Sequence, residues 1–421
     1  MAPLRIGMIG AGFNARFHIQ SLINVRDVVL GGVSSRTTKS AQELADYARS
    51  IDVGNATVFA EHEELAASSD VDAVWINCPN HVRIETMEAV VRGNARRAKP
   101  LAGICCEKPL ARTVAEAKRM LELVEETGVP HGYLENMIFV PAVARGKEII
   151  WRRGAANAGR PYLARAAEEH SGPHTPWFWM GTQTGGGALI DMMCHGLEAA
   201  RWMLTEPGQP RASLTPIEVT ARIDCLKWSR PEYVQLLKER MGPEVDFAKA
   251  PSEDYANATV LYQDEHGTRV ITESTTSWSY VGAGLRHTLE MLGPEYSMQL
   301  NTLDTGLNLF FSREVRGKEG EDLVEKQNAE QGLMPVVPEE TSHYGYVGEN
   351  RHFTQAFARG TTPELTFRDG YEIARVLAAC YMSAERGQTV DMRSTEIDDF
   401  VPAVARGTWN PSRPVPVQEL S

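Results

Sequence analysis

The chain has 421 residues, of which 43% are hydrophobic and 23% charged, a composition typical of a folded protein with more than one domain. Its formal net charge of −12 argues against binding to nucleic acid or an anionic membrane, because those partners require basic patches. No apolar run approaches the ~20 residues of a membrane helix. Arg5 interrupts the first apolar run, so we expect no signal peptide. We therefore expect a cytoplasmic protein with no membrane partner.

The chain begins with short apolar runs that alternate with helix-like segments. The predicted strands are Leu4–Ile9, Val28–Val33, Ala73–Asn77 and Leu101–Cys106. A capping box at Thr113 and Glu116 starts a helix that we expect to end at Gly128. This alternation with short connections predicts an α/β domain with a doubly wound parallel sheet over residues 1–135.

Beyond residue 135 the pattern changes to longer segments in which apolar and polar residues alternate. These segments predict an α+β domain over residues 136–421 with a large, mainly antiparallel open sheet. Residues 229–252 are rich in charge and proline and are expected to form an insertion, and 314–342 a polar loop. Residues 405–421 are expected to form a C-terminal tail.

The six cysteines give no sign of a metal site or a disulfide framework. None belongs to a Cys-x-x-Cys pair or lies beside a histidine cluster. We predict buried, reduced thiols and no bound metal. The six are Cys78, Cys105, Cys106, Cys194, Cys225 and Cys380.

A glycine-rich loop follows the first predicted strand. Gly10 allows a tight turn, Gly12 allows a pyrophosphate to approach the backbone, and Ala15 permits close packing of helix on strand. The N–H groups at the helix N-terminus, near Phe13 and Asn14, suit phosphate oxygens. Such a pattern arises by chance in many chains, but its position between a strand and a helix predicts a dinucleotide-binding Rossmann domain.

The end of the second strand bears on the choice between NAD and NADP. NAD-specific domains place an acidic residue there to bind the ribose 2′-hydroxyl, but no acid stands between Asp27 and Glu43. Ser34, Ser35, Arg36 and Lys39 suit a 2′-phosphate better. A solvated basic turn is the alternative. We predict NAD(P) as cofactor and favour NADP, with NAD left open.

Two further segments carry groups suited to proton chemistry. Glu107-Lys108-Pro109 ends a buried strand, at the edge where open α/β sheets bind ligands. Asp191 and His195 follow three glycines and are spaced i,i+4, which places both on one face of a helix. A histidine near neutrality can take the proton of an alcohol while a carboxylate orients it. Each segment alone is also compatible with a structural role.

Taken in order and spacing, these motifs and Pro79-Asn80 resemble the Gfo/Idh/MocA oxidoreductase family over nearly the whole chain. The resemblance implies that Lys108, Asp191 and His195 form the catalytic set. It also implies that Cys78, Pro79, Asn80 and Glu107 lie beside the cofactor, and that the open sheet mediates a homodimer or homotetramer. Two positions depart from the pattern, since many relatives have histidine at Arg83 and aspartate at Glu198.

The segment from Glu168 to Trp179 is the candidate substrate-binding region. Its histidines and tryptophans suit a polyhydroxylated ring, with aromatic faces stacking on C–H groups and polar tips meeting hydroxyls. An aromatic loop that packs under the sheet is the alternative. The candidates are His170, His174, Trp177 and Trp179, together with Lys108, Asp191 and His195. The segment His343-Tyr344-Gly345-Tyr346 is a weaker candidate.

The expected activity is that of an NAD(P)-dependent dehydrogenase for a secondary hydroxyl of a sugar, glycoside or cyclitol. A second possibility is a redox-neutral elimination or glycoside cleavage that uses a retained nicotinamide cofactor for transient oxidation. A third is a dinucleotide-sensing regulator without catalysis, against which Lys108, Asp191 and His195 argue.

Overall fold

The computed structural model describes residues 2–312, 322–327, 329 and 331–411. The last ten residues of the predicted tail, 412–421, and part of the predicted polar loop therefore lie outside the described residues. The described chain divides into two compact units. One comprises the residues up to Pro141 together with Tyr344–Ala374, and the other comprises Ala142–His343 and the residues from Arg375 onward.

The first part of the chain forms eleven regular elements in near-perfect alternation. They are β1 (Leu4–Ile9), α1 (Phe13–Ser21), β2 (Val28–Ser34), α2 (Thr38–Ser50), β3 (Thr57–Phe59), α3 (His62–Ala67), β4 (Ala73–Ile76), α4 (Arg83–Ala95), β5 (Gly103–Glu107), α5 (Val114–Thr127) and β6 (His131–Leu134).

Longer strands and helices follow in the rest of the chain. They are α6 (Pro141–Ile149), α7 (Ala156–Ala158), β7 (Leu163–Glu169), α8 (Gly181–Thr184), α9 (Cys194–Leu204), β8 (Thr215–Asp224), α10 (Pro231–Met241), β9 (Tyr255–Gln263), β10 (Arg269–Ser277), β11 (Arg286–Gly293), β12 (Tyr296–Asn301), β13 (Leu307–Phe311), β14 (Gly332–Val336), α11 (Glu340–His343), α12 (Tyr346–Arg359), α13 (Phe367–Arg386), β15 (Val390–Asp391) and α14 (Glu396–Asp399). Short π-helical turns lie at Ile150–Ala155 and Leu189–Met193.

The first unit contains a six-stranded parallel sheet in the order β3-β2-β1-β4-β5-β6. This is the strand order of a dinucleotide-binding Rossmann domain, so the predicted doubly wound sheet is confirmed. The strands are continuous apolar runs because helices cover a parallel sheet on both faces. Helix α2, for example, buries Ala41, Leu44, Ala45 and Ala48, which recur at helical spacing.

Helix α12 belongs to the first unit although it lies more than two hundred residues after β6. Phe357 packs against Gly103 of β5 so closely that a Cβ atom at this glycine would have no room. Trp75 of β4 is fully buried, and its Nε1 donates to Asn350 Oδ1 at 3.0 Å. The sequence-based boundary at residue 135 assigns α12 to the second domain, whereas the contacts assign it to the first.

The second unit contains a seven-stranded sheet in the order β12-β11-β7-β10-β9-β8-β15. Only the β7–β10 pair is parallel, which agrees with the predicted mainly antiparallel sheet. Along β9 buried residues alternate with more exposed ones, because one face of the sheet is covered and the other is open. Helix α9 packs on the covered face, where Gly196 lies against Ala166 and Ser274.

One loop prediction in the second unit needs correction. The segment 229–252, predicted as an insertion, contains the helix α10. Residues 314–342 are not wholly a loop, because β14 pairs with β13 in a separate two-stranded sheet and α11 follows it. Strand β14 depends on its pairing with β13, which the polarity of residues 314–342 does not report. No helix in the described part is long and apolar enough to cross a membrane.

Candidate active site

The glycine loop connects β1 to α1 with the geometry that a phosphate-binding turn requires. Gly10 has a φ of +103°, and a Cβ atom there would lie 2.8 Å from the backbone of Asn77. Gly12 is the N-cap of α1 and provides no side-chain acceptor, and a Cβ atom there would meet no heavy atom within 4 Å. The first turn contains no acidic residue. The loop therefore fits a dinucleotide pyrophosphate at the helix N-terminus.

The other residues of the loop divide between core and surface. Ala15 is fully buried, as the close packing of helix on strand requires, whereas Phe13 is 59% exposed. Asn14 accepts a hydrogen bond from Asn77 Nδ2 at 2.7 Å and donates to Tyr346 Oη at 3.2 Å. Tyr346, a weak substrate candidate from the sequence, thus contacts the predicted phosphate loop.

The turn after β2 carries the predicted 2′-phosphate site. Ser34 is buried, and its hydroxyl lies 2.8 Å from His62 Nδ1. Arg36 and Lys39 are exposed, and Lys39 lies 3.8 Å from Glu43 on the next helical turn. Ser35 accepts a hydrogen bond from the Ser40 hydroxyl. An exposed guanidinium without a carboxylate at the strand end is compatible with a 2′-phosphate.

Glu107, the last residue of β5, belongs to a buried polar cluster. His18 Nε2 lies 2.8 Å from Glu107 Oε1, and His18 Nδ1 lies 3.8 Å from Glu349 Oε2. Burial acts to raise the pKa of Glu107, but the hydrogen bond and charge of His18 outweigh it and hold that pKa below its usual value. Burial and the charge of Glu107 raise the pKa of Glu349 well above its usual value.

The distances in this cluster favour hydrogen bonding over metal binding. One ligand atom from each of His18, Glu107 and Glu349 lies within 4.8 Å of the others. Two ligands of a tetrahedral zinc ion are separated by about 3.3 Å, however, because each bond is about 2.0–2.1 Å. The 2.8 Å between His18 and Glu107 is the length of a hydrogen bond. The cluster fixes the carboxyl group at the end of β5.

Lys108 follows directly and is only half-buried. Its backbone N–H donates to Glu107 Oε2 at 3.0 Å, so the same carboxyl group holds both His18 and the turn. Burial raises the pKa of the neighbouring Glu135 to about 8. In the turn after β4, Cys78 and Asn80 are buried and Pro79 is half-buried.

In the second unit, Asp191 and His195 are 8% and 6% exposed. Asp191 lies in the π-helical turn Leu189–Met193, and His195 lies in the first turn of α9. The predicted continuous α-helix is thus replaced by a wider turn at Asp191, a distortion that is common at functional sites. The i,i+4 spacing alone does not reveal it.

The three glycines before this turn meet a buried carboxyl group. Glu253 Oε1 accepts hydrogen bonds from the backbone N–H groups of Gly187 and Leu189, at 2.8 and 3.0 Å, and from Tyr381 Oη at 2.6 Å. A Cβ atom at Gly187 would overlap the Glu253 backbone. Burial raises the pKa of Glu253 to about 7. Glu253 therefore anchors the start of the segment that carries Asp191.

His195 lies near a second carboxyl group, which the sequence did not single out. Glu168 Oε2 is 3.9 Å from His195 Nε2 and 3.8 Å from His287 Nδ1. Glu168 and His287 are directly opposed on the antiparallel strands β7 and β11, and all three side chains are buried. Asp191 Oδ2 accepts a hydrogen bond from Trp278 Nε1 at 3.3 Å. Trp278 was also missed.

The candidate substrate segment splits between loop and core. His170 is buried, and its Nδ1 accepts a hydrogen bond from the Gly172 N–H at 2.9 Å, so Nε2 carries the proton of the neutral ring. Trp177 is half-buried and His174 is exposed. Trp179 is 2% exposed, packs against Trp228 and Trp278, and donates to the Pro173 carbonyl. Its indole ring serves the aromatic core.

Other sequence predictions have simple structural outcomes. All six cysteines are buried and free of disulfides, as predicted. Glu198, which departs from the aspartate of relatives, is fully buried and forms an ion pair with Arg211. His343, in the second unit, lies 3.0 Å from the Thr302 carbonyl, and Tyr344 is buried in the first unit.

Comparisons with known families agree with this description. Residues 4–133 match the family profile "Oxidoreductase family, NAD-binding Rossmann fold", and residues 166–392 match "Oxidoreductase family, C-terminal alpha/beta domain". The fold and the matches thus define an oxidoreductase with an NAD-binding Rossmann domain. The chain belongs to the Gfo/Idh/MocA family.

Several named proteins are similar to the chain. Levoglucosan dehydrogenase of Pseudarthrobacter phenanthrenivorans is 25% identical over 406 residues, which are 93% of this chain and 99% of that protein. Inositol 2-dehydrogenase of Agrobacterium fabrum is 29% identical over 48% of this chain and 55% of its own length. Among solved structures, GenD2 from gentamicin A biosynthesis, in complex with NAD, is 24% identical with a TM-score of 0.73, covering 94% of this chain and 97% of its own.

Proposed function

We propose that this protein is an NAD(P)-dependent dehydrogenase that oxidises a secondary hydroxyl of a sugar, glycoside or cyclitol. The observation that carries the proposal is the buried cluster of acid–base groups around the start of α9, where His195 faces Glu168 and Asp191 accepts a hydrogen bond from Trp278. Relatives named as dehydrogenases of levoglucosan and inositol support the substrate class.

In the proposed reaction a C–H and an O–H bond break and a carbonyl group forms. His195 accepts the hydroxyl proton, and the charge of Glu168 stabilises the resulting imidazolium. Lys108 holds the hydroxyl oxygen by hydrogen bonding, and Asp191 orients the reacting groups. A bound nicotinamide ring supplies the hydride acceptor. His170, His174 and Trp177 are the proposed contacts to the rest of the substrate.

The proposed cofactor preference is for NADP. Arg36 and Lys39 are exposed after β2, and no acidic residue there can take a ribose 2′-hydroxyl. A relative from Haloarcula marismortui, 27% identical over 51% of this chain and 59% of its own length, is named D-xylose 1-dehydrogenase [NADP(+)]. Solved relatives hold NAD or NADH, however, so both forms belong in the test.

The test is a screen of sugars, glycosides and cyclitols with NAD and NADP, monitored by absorbance of the reduced nicotinamide. Substrate-dependent reduction is the expected result. Product formation without net reduction, from protein purified with bound cofactor, would instead support a redox-neutral reaction. Tight dinucleotide binding without turnover of any compound would contradict the proposal and favour a sensor.

The proposed partner is a second copy of the chain, bound through the open face of the second sheet. Leu292, Leu163, Ile271 and Leu261 are paired across the adjacent strands β11, β7, β10 and β9 on that face. An apolar row on an otherwise open sheet suits a self-complementary contact. Sedimentation should show a dimer or tetramer, and Ile271→Arg should shift it toward monomer. A monomeric wild-type protein would contradict this.

A further inference from the structure

Arg83 makes more hydrogen bonds to the main chain than a residue at the start of a helix needs. It is the first residue of α4 and is 4% exposed. Its Nε donates to the Cys78 carbonyl at 3.1 Å. Its two Nη atoms donate to the carbonyls of Glu107, at 2.6 Å, of Lys108, at 3.3 Å, and of Pro109. Four main-chain carbonyl groups, three of them from consecutive residues, thus accept hydrogen bonds from one guanidinium.

These carbonyls belong to two separate turns. Cys78 lies just after β4, and Glu107, Lys108 and Pro109 lie at the end of β5. β4 and β5 are adjacent and parallel, with Ile76 opposite Cys106. Arg83 therefore joins the carboxyl ends of two neighbouring strands, the edge at which open α/β sheets bind their ligands.

Only an arginine can make this set of contacts. Its planar guanidinium carries five N–H donors in a fixed arrangement, whereas lysine offers a single centre and histidine at most two donors. The carbonyl dipoles surround the buried charge and compensate it.

We propose that Arg83 is a positioning residue, which holds the turn of Lys108 against the turn of Pro79 and so fixes the end of the site that receives the nicotinamide. The proposal rests on the proposed function for its kinetic consequence. Without the guanidinium the two turns separate or reorient independently, and both cofactor contact and hydroxyl contact lose their alignment. The adenosine end of the site is not affected.

Arg97 provides a matched control in the same unit. Its guanidinium also donates to main-chain carbonyls, namely those of Ala66 at 3.1 Å, Ser68, Val71 at 2.9 Å and Lys99 at 2.9 Å. These carbonyls precede β4 and β5 and so lie at the opposite, amino-terminal edge of the sheet. The two arginines make similar contacts, but only Arg83 makes them beside Lys108.

The test compares Arg83→Lys with Arg97→Lys. Binding is measured by calorimetry for NADPH and NADH, and for 2′-phospho-ADP-ribose and ADP-ribose, which lack only the nicotinamide. We expect Arg83→Lys to weaken the binding of each dinucleotide at least tenfold more than the binding of its truncated partner. It should also lower kcat at least tenfold. Arg97→Lys should leave kcat and the ratio of full to truncated ligand affinity within twofold of wild type, even if it lowers Tm as much as Arg83→Lys does.

The proposal would be overturned if Arg83→Lys, like Arg97→Lys, weakened the binding of full and truncated ligands by the same factor, since Arg83 would then only stabilise the fold. If Arg83→Lys does not fold, Arg83→Gln replaces it with the same expected readings, because its amide offers two N–H donors in place of the five of the guanidinium. The binding ratios also separate the two proposals. Wild-type protein that binds dinucleotides but oxidises no carbohydrate refutes the proposed function, while the Arg83 comparison still gives its answer.

Discussion

The indole N–H of Trp278 donates to the carboxyl group of Asp191, although 87 residues separate them in the chain. Trp278 follows β10, is fully buried and packs against Trp179. The hydrogen bond restrains the carboxyl group of Asp191, which lies in the π-helical turn Leu189–Met193. The aromatic core of the second unit thus reaches directly into the proposed active site.

Replacing Trp278 with phenylalanine should therefore impair catalysis more than folding. The phenylalanine ring still fills the aromatic cluster, but Asp191 loses its hydrogen bond from the indole. Hydrogen bonds to charged groups contribute about 1.5–3 kcal/mol. We expect kcat to fall by about 10- to 100-fold. Trp151→Phe is the control, because it removes a 2.9 Å indole bond to the Met203 carbonyl elsewhere in the same unit. Unchanged kcat in Trp278→Phe would refute this role.

Lys108→Ala and His195→Ala should each reduce kcat by at least ~100-fold, the usual contribution of a positioned acid–base group. The dinucleotide should still bind to the His195 variant, because the glycine loop is unchanged. Steady-state rates and cofactor titration provide the two measurements. Near-normal turnover in either variant would exclude that residue from the proposed chemistry.

Glu168→Gln tests the second carboxyl group near His195. The amide cannot stabilise an imidazolium by charge, so kcat/KM should fall by about tenfold or more. The adjacent Glu169→Gln is a close control, since Glu169 pairs with Arg286 and alternates to the open face of the sheet. It should stay within twofold of wild type. Similar losses in both variants would indicate a general effect on β7.

Arg36→Ala tests the cofactor preference. Loss of a guanidinium that binds a 2′-phosphate should raise KM for NADP by about 10- to 100-fold, because bonds to charged groups contribute about 1.5–3 kcal/mol. KM for NAD should not change. The exposed Arg26, on the turn before β2, provides the control Arg26→Ala. Equal effects on both cofactors would place Arg36 outside the 2′-phosphate site.

Glu253 should make stability depend on pH between about 4.5 and 7. Its folded-state pKa is raised by burial to about 7, so over this interval the folded state binds more protons than the unfolded state. The contribution of Glu253 is thus most favourable below its unfolded pKa and is lost as pH rises through the folded pKa. Glu253→Gln should reduce the fall in the free energy of unfolding, measured with urea, between about pH 4.5 and 7, by up to about 3 kcal/mol. An unchanged pH slope would refute it.

The sequence predicted those features that depend on nearby residues. The glycine loop, the capping residue Thr113 and the left-handed C-cap Gly128 are all set within one strand-to-helix or helix-to-strand connection. The alternating strands of the second sheet were predictable for the same reason. In each strand the alternation of apolar and polar residues indicates which side chains lie on the covered face and which on the exposed face.

The contacts that sequence alone could not supply join distant segments. Trp278 and Glu168 come near Asp191 and His195 only through the order of strands in the second sheet. Tryptophan is a residue type that suits sugar binding, and only the neighbours of Trp179 show that its ring fills the core. Strand β14 forms because β13 pairs with it, although the segment around it is polar.

The return of α12 to the first unit has a consequence for how the protein is made. Trp75 and Tyr133, both fully buried, require Asn350 and Leu365, because their N–H groups donate to these later residues. On the ribosome, the segment 142–343 is therefore synthesised before the dinucleotide-binding unit can close its core. N-terminal domains usually fold first during synthesis, but here we expect the first residues to emerge to complete their core only after residue 374 has been synthesised. An excised fragment ending near residue 135 should fail to fold on its own.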